Sequence, residues 1–165
     1  MKRLGNYFVM FTIAILALFC SSCGPDEPGE ELGPFVEYTR AQTFYDTYTS
    51  YKGVKALIDT REKSKYDAGH LAGADNMPAD IYNTSDDNAQ WSKDLLAKYP
   101  KNTCLFFYGT TSFQMTKAVA GRASRLGYGK ENSRIFSKGY DYEGIIDEKN
   151  PKNNDPSLKS LFGVE

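Results

Sequence analysis

The sequence predicts an α/β domain built on a central, mostly parallel sheet with helices on both faces. Three observations carry this. Short apolar runs alternate along the chain with amphipathic stretches of helical length, the pattern of strand-helix-strand units. The runs at 54–59 and 103–108 are apolar enough to be interior strands, buried on both faces. Finally, the second run leads into a tight polar loop and then a helix, the junction at which open α/β sheets bind ligands. With 165 residues, 41% of them hydrophobic and 25% charged, the chain has room for one such domain plus attachments. A net charge of -1 gives no reason to expect a nucleic-acid surface.

The first residues read as an attachment. Lys2 and Arg3 precede an apolar run from Tyr7 to Cys20, followed by Ser21, Ser22, Cys23 and Gly24. A basic start, a short apolar core and small residues at its end describe an export signal over residues 1–22. The run is shorter than the roughly 20 residues a helix needs to span a bilayer. Residues 23–34 form an acidic, proline-containing tether, and a domain over 35–147 and a polar tail over 148–165 follow.

Within the domain, Thr39 and Gln42 have capping-box spacing and open a helix over 40–51 that carries Phe44, Tyr45 and Tyr48 on one side. Gly53 breaks it. Strand 54–59 follows, then a short helix over 61–67 stopped at Gly69, and a brief strand over 72–77 ended by Pro78. Residues 79–90 are polar and turn-rich, a surface excursion. Asp86 and Asp87 lack the later Gly and Glu of a calcium loop. Helix 89–99 places Trp91, Leu95, Leu96 and Tyr99 at helical spacing. After strand 103–108, the loop Gly109, Thr110, Thr111, Ser112 leads into a helix over 113–126 that is capped by Gly127. Strand 133–136 and a turn at Gly139 and Tyr140 close the domain. The tail is read as loose, with Leu158, Leu161 and Phe162 as the residues able to dock.

Two resemblances sharpen this. Ser21, Ser22, Cys23 and Gly24 resemble the lipobox of bacterial lipoproteins, with Cys20 where a leucine is usual. That likeness implies that Cys23 becomes the first mature residue and carries lipid. The chain would then face the periplasm or the cell surface from an envelope membrane, with a mature charge of about -3. Cys104 is left as the single thiol of the domain, so no internal disulfide is expected. One His and one Cys leave no zinc set, and no metal or cofactor is expected.

The second resemblance covers roughly residues 36–142. Leu57, Ile58, Asp59, Thr60, Arg61, then Tyr66, then Gly69, His70, Leu71, Ala72, Gly73, Ala74, Asn76 and Pro78 resemble the first signature of rhodanese domains; Gly127, Tyr128, Ile135, Phe136 and Gly139 resemble the family's C-terminal half. The likeness implies structural roles for Asp59, Arg61, Gly69 and His70, the charges forming a buried pair and His70 tying its loop to nearby backbone. Rhodaneses set a sulfur-carrying cysteine at the first position of the loop after this strand, where loop amides and the helix N-terminus stabilise the thiolate. Counting forward from the strand, that position is Gly109; counting back from Gly127 and Tyr128, it is Thr110. Neither is a cysteine. The loop has no arginine either, and Gln114 or Met115 stands where one is usual.

Cys104 lies five positions upstream, about 16 Å along an extended strand, flanked by Leu105 and Phe106, and reads as an inert core thiol. Thr110, Thr111 and Ser112 lack the adjacent base a hydroxyl nucleophile needs. The expectation is a binding or scaffolding module at the envelope without catalytic residues. The alternative is a sulfurtransferase-family enzyme or subunit acting in envelope sulfur or redox metabolism. The candidate ligand loop is Gly109, Thr110, Thr111, Ser112, Phe113 and Gln114, with small anions held only weakly and a protein partner or larger ligand docking at residues 109–113. Phe113 and Tyr140 are the candidate rim.

Overall fold

The computed structural model describes residues 33–79, 89–110 and 114–165. Five strands form one sheet: β1 (Val36–Tyr38), β2 (Lys55–Asp59), β3 (Ala74–Asn76), β4 (Cys104–Tyr108) and β5 (Ser133–Phe136). Their order is β1-β5-β4-β2-β3, and every pairing is parallel. The fold is therefore the expected α/β class with a parallel sheet. Strand β1, an edge strand, was not foreseen: three residues are too few to show a period.

Between β2 and β3 lies the short helix α2 (Lys63–Asp67). The alternation of β4 divides the core in two. Leu105 and Phe107 face α3 (Gln90–Lys98) and α4 (Gln114–Ala123), packing with Ala56, Ile58, Trp91, Leu95, Val119 and Ala120. Cys104, Phe106 and Tyr108 face the other way. There they meet Leu57, Phe136 and Phe44 of α1 (Ala41–Ser50) and Leu158 of α5 (Leu158–Phe162). All five residues of β4 are fully buried, which explains its unbroken apolar run. At about 1.5–3 kcal/mol for each large side chain removed from water, this strand anchors both layers. Leu96, expected on the buried face of its helix, is 39% exposed, because Trp91 and Leu95 already fill the contact with the sheet.

Helix α1 begins differently from the expected capping box. Arg40 occupies the cap position without a side-chain cap. The first amides are met instead by Asp155, 114 residues along the chain: Ala41 N–H donates to its Oδ2 and Gln42 N–H to its Oδ1, each at 3.0 Å. Tyr142 Oη donates to Asp155 Oδ2 at 2.8 Å. At the other end of α1, Lys55 Nζ donates to Tyr48 O at 2.6 Å and to Tyr51 O at 3.2 Å, satisfying terminal carbonyls. Helix α4 runs into a wider turn over Ser124–Tyr128, where Gly127 adopts φ 107°, the left-handed conformation its place at a helix end predicted.

Residues 148–165 are more ordered than a loose tail. A hairpin pairs β6 (Gly144–Ile145) with β7 (Asp155–Pro156), and α5 follows, capped by Ser157 Oγ accepting from Ser160 N–H at 3.1 Å. Leu158 is fully buried. Phe162 packs its ring on Tyr45 at 4.9 Å, Tyr48 at 5.4 Å and Phe44 at 6.2 Å. The docking of Leu158 and Phe162 on α1 follows from their spacing in an otherwise polar stretch.

Candidate functional site

All five parallel strands point their C-terminal ends the same way, and the loops leaving β2, β4 and β5 meet there. Backbone hydrogen bonds hold the meeting together. Thr60 N–H donates to Tyr108 O at 2.9 Å, and Tyr140 N–H donates to Gly109 O at 2.8 Å. Asn76 Nδ2 reaches from the end of β3 to Arg61 O at 2.9 Å and Asp59 O at 3.2 Å.

Beneath the loops lies a buried ion pair. Asp59 is fully buried and Arg61 is 5% exposed. Arg61 Nε donates to both Asp59 oxygens at 3.0 Å, and its Nη2 donates to Asp59 Oδ2 at 2.6 Å and Gly69 O at 2.8 Å. The guanidinium lies 3.6 Å from the centre of the Tyr140 ring. Burial alone would push the Arg61 guanidinium down, but the hydrogen bond and charge of Asp59 hold it above its ordinary value. Burial first, and then the charge of Asp59, raise the Tyr108 phenol, which stays neutral and accepts from Leu71 N–H at 3.1 Å. Tyr140, expected at an exposed rim, is only 7% exposed, because its ring covers this guanidinium.

His70 sits in the loop between β2 and β3. Its Nδ1 lies 3.1 Å from Tyr66 O, and its ring stacks on that of Tyr66 with centroids 3.7 Å apart. Gly69 before it has φ 147°, a conformation open to glycine. Nothing in this arrangement aims the imidazole at the loop after β4.

Gly109 begins that loop. Its φ is ordinary, so conformation does not demand a glycine there. Space does. A β-carbon at Gly109 would lie 2.5 Å from Thr60 Oγ1 and 2.5 Å from Thr116 Oγ1, too close without movement. Thr60 Oγ1 is held in place by donating to Tyr108 O at 3.1 Å. Thr60 and Thr116, both buried, are the residues sequence reasoning missed. The only signal was Thr60 inside the Asp-x-Arg motif; the place of Thr116, seven residues after Gly109, needed the helix geometry. Thr110 is half-buried and Gln114 exposed, while Thr111, Ser112 and Phe113 lie outside the described residues, as do Cys23 and the rest of 1–32.

Cys104 is fully buried, at the far end of β4 from the loop. Burial raises its thiol above the ordinary value, although Arg134 nearby pulls the other way. It does not share a site with Gly109. Among the described residues no three His, Cys, Asp or Glu side chains cluster as metal ligands. A separate cleft of about 260 Å³ opens between the end of β3 and α3, lined by Asn76, Met77, Trp91, Asp94 and Lys98 among others. Its charged groups are already paired: Lys98 with Asp75 at 2.9 Å, and Asp94 with Gln90 Nε2 at 2.7 Å.

The family model for the rhodanese-like domain matches residues 42–142. The chain belongs to the rhodanese-like domain family. Several solved structures are similar to the chain at low identity. The rhodanese-like domain of an Anabaena sp. protein, a solution structure, aligns over 80% of this chain and 78% of its own, with 16% identity and a TM-score of 0.47. A Saccharomyces cerevisiae homologue of single-domain rhodanese and the Cdc25 phosphatase catalytic domain aligns over 65% of this chain and 76% of its own, with 14% identity and a TM-score of 0.44. A search of the curated proteins found no match. The rhodanese-like match ends at residue 142, so β6, β7 and α5 are additions to the matched region.

Proposed function

We propose that this rhodanese-like domain is a non-catalytic binding or scaffolding module, held at a bacterial envelope membrane by lipid on Cys23. The observation that carries the reading is Gly109. It stands directly after β4, where the family's nucleophile is expected, and the Thr60 and Thr116 hydroxyls occupy the room a side chain would need. The one thiol of the described residues is buried at the opposite end of the same strand. No sulfane sulfur can be taken up at Gly109, and Cys104 lacks the exposure and the thiolate character to replace it. The same loop end, with Thr110 and Gln114 at its described edges, is the face offered to a protein partner.

The alternative, a sulfurtransferase or a subunit of an envelope sulfur or redox system, draws on family membership itself and on the second placement of the catalytic position, Thr110. One assay separates the two readings. Purified full chain is expected to give no thiosulfate:cyanide sulfur transfer above a heat-denatured control. Turnover that survives purification and vanishes in Cys104→Ser or Thr110→Ala would overturn the non-catalytic reading.

A further inference from the structure

The C-terminal residues make an unplanned connection with the signature loop. His70 N–H donates to Glu165 O and Glu165 N–H to His70 O, both at 3.0 Å, and Ala72 N–H donates to Gly163 O at 3.2 Å. Leu71 and Val164 form an antiparallel bridge. The last three residues thus add a short strand to a loop that would otherwise leave these groups to solvent. These residues lie beyond the part of the chain that matches the family model.

From this strand a continuous line of contacts leads to the candidate site. Gly69 has no side chain, and one built there would meet Val164 Cγ1 at 3.4 Å and Tyr140 Oη at 3.3 Å. Both groups therefore close on the same glycine. Gly69 O accepts from Arg61, whose guanidinium lies on the Tyr140 ring at 3.6 Å, and Tyr140 N–H holds Gly109 O at 2.8 Å. A second line starts from α5: Lys159 Nζ lies 4.6 Å from the Tyr140 ring centre. Every step is packed or hydrogen-bonded, and Arg61 and Tyr140 are both more than nine-tenths buried, so neither has room to absorb a shift alone.

We infer that residues 163–165 act as a strap: their pairing with residues 70–72 sets the position of Gly69, Arg61 and Tyr140, and through the Tyr140 amide the position of Gly109. A partner that captured this terminal strand would loosen the candidate site without touching it.

Hydrogen–deuterium exchange by mass spectrometry is run on the full chain and on a chain ending at Phe162, which keeps Asp155, α5 and the Phe162 ring contacts. Peptides covering residues 66–74 are expected to exchange about tenfold faster or more in the shortened chain, and peptides covering 137–143, which contain the Tyr140 amide, to follow in the same direction. Faster exchange at 66–74 with 137–143 unchanged would overturn the coupling. No change at 66–74 would overturn the strap itself. If the shortened chain loses its fold by circular dichroism, Val164→Ala replaces it, keeping the backbone pairing and removing the methyl groups over Gly69. There, faster exchange at 137–143 supports the inference and unchanged exchange overturns it. The readout is backbone exchange, so it stands or falls separately from any assay of sulfur transfer.

Discussion

Gly109, directly after β4, is the position on which the proposed non-catalytic reading turns. Its backbone makes the same closing bond a cysteine would, through its carbonyl to Tyr140, yet two threonine hydroxyls crowd the place where a side chain would begin. Gly109→Cys should therefore cost stability, about 1–3 kcal/mol by denaturant unfolding, and should not bring sulfur transfer. Adding Thr60→Ala and Thr116→Ala is expected to recover part of that loss; no recovery would mean the hydroxyls are not the obstacle. Arg61 lies deeper, and its removal should be worse. Arg61→Ala leaves the Asp59 carboxylate buried without its partner, and a loss of about 3–5 kcal/mol in urea unfolding is expected. A loss below 1 kcal/mol would show that water or another cation satisfies Asp59. The Asp59–Arg61 motif was legible because both charges fall in one short, dense signature. The filling of Gly109 was not, since it depends on a helix side chain whose direction no local pattern fixes.

Among the elements, α1 is the most instructive. Its amphipathic face was legible from Phe44, Tyr45 and Tyr48, but the source of its cap was not. Thr39 and Gln42 offered a local solution, and the chain instead uses a buried carboxylate from β7. Such a choice leaves no trace in nearby sequence. Burial would raise the Asp155 carboxyl, but the Gln42 and Ala41 amides and the Tyr142 hydroxyl outweigh it and hold the group below the ordinary carboxylate value. Tyr142, half-buried beside it and bonded to it, is pushed up to about 12 and remains a donor throughout the neutral range. The sign follows. A carboxyl lowered on folding adds stability above its unfolded value, near 3.9, and that stability is lost as pH falls through the folded value. Asp155→Asn should thus be less stable than the parent by about 1–3 kcal/mol at pH 7, with the gap closing below about pH 4. A gap that is constant from pH 7 to pH 3 would mean the charge plays no part. The hairpin β6–β7 escaped the sequence reading for a related reason: strands of two residues carry no period.

At the scale of the whole molecule, alternation of strand and helix was enough to predict a parallel sheet with two covered faces, because β2 and β4 are buried on both sides and read as apolar runs. The order of the strands, β1-β5-β4-β2-β3, was not legible, because periodicity says nothing of which strands become neighbours. The proposed attachment to a membrane is a separate matter, resting on the sequence of residues 1–24. Mass spectrometry of membrane-extracted protein should show residues 1–22 absent and Cys23 acylated. A Cys23→Ala chain that is processed identically and still partitions wholly into membranes would remove the anchor from the proposal. Cys104 gives a check on the packed state as a whole. In the native chain it should resist alkylation by iodoacetamide over hours and react once urea opens the sheet, whereas rapid native labelling would mean the core around β4 opens readily.

The cap that Asp155 supplies to α1 also sets an order of events. Ribosomes deliver the chain from its first residue onward, so the first helix of the domain emerges 114 residues before the carboxylate that completes it. Strand β1 waits in the same way for β5, its one neighbour in the sheet among the described residues. A nascent chain stopped anywhere before residue 155 therefore holds an uncapped helix whose aromatic face lacks the Phe162 ring. Quality-control proteases would meet such a fragment as unfinished, and protease resistance is expected to arrive only once residues 155–162 are in place.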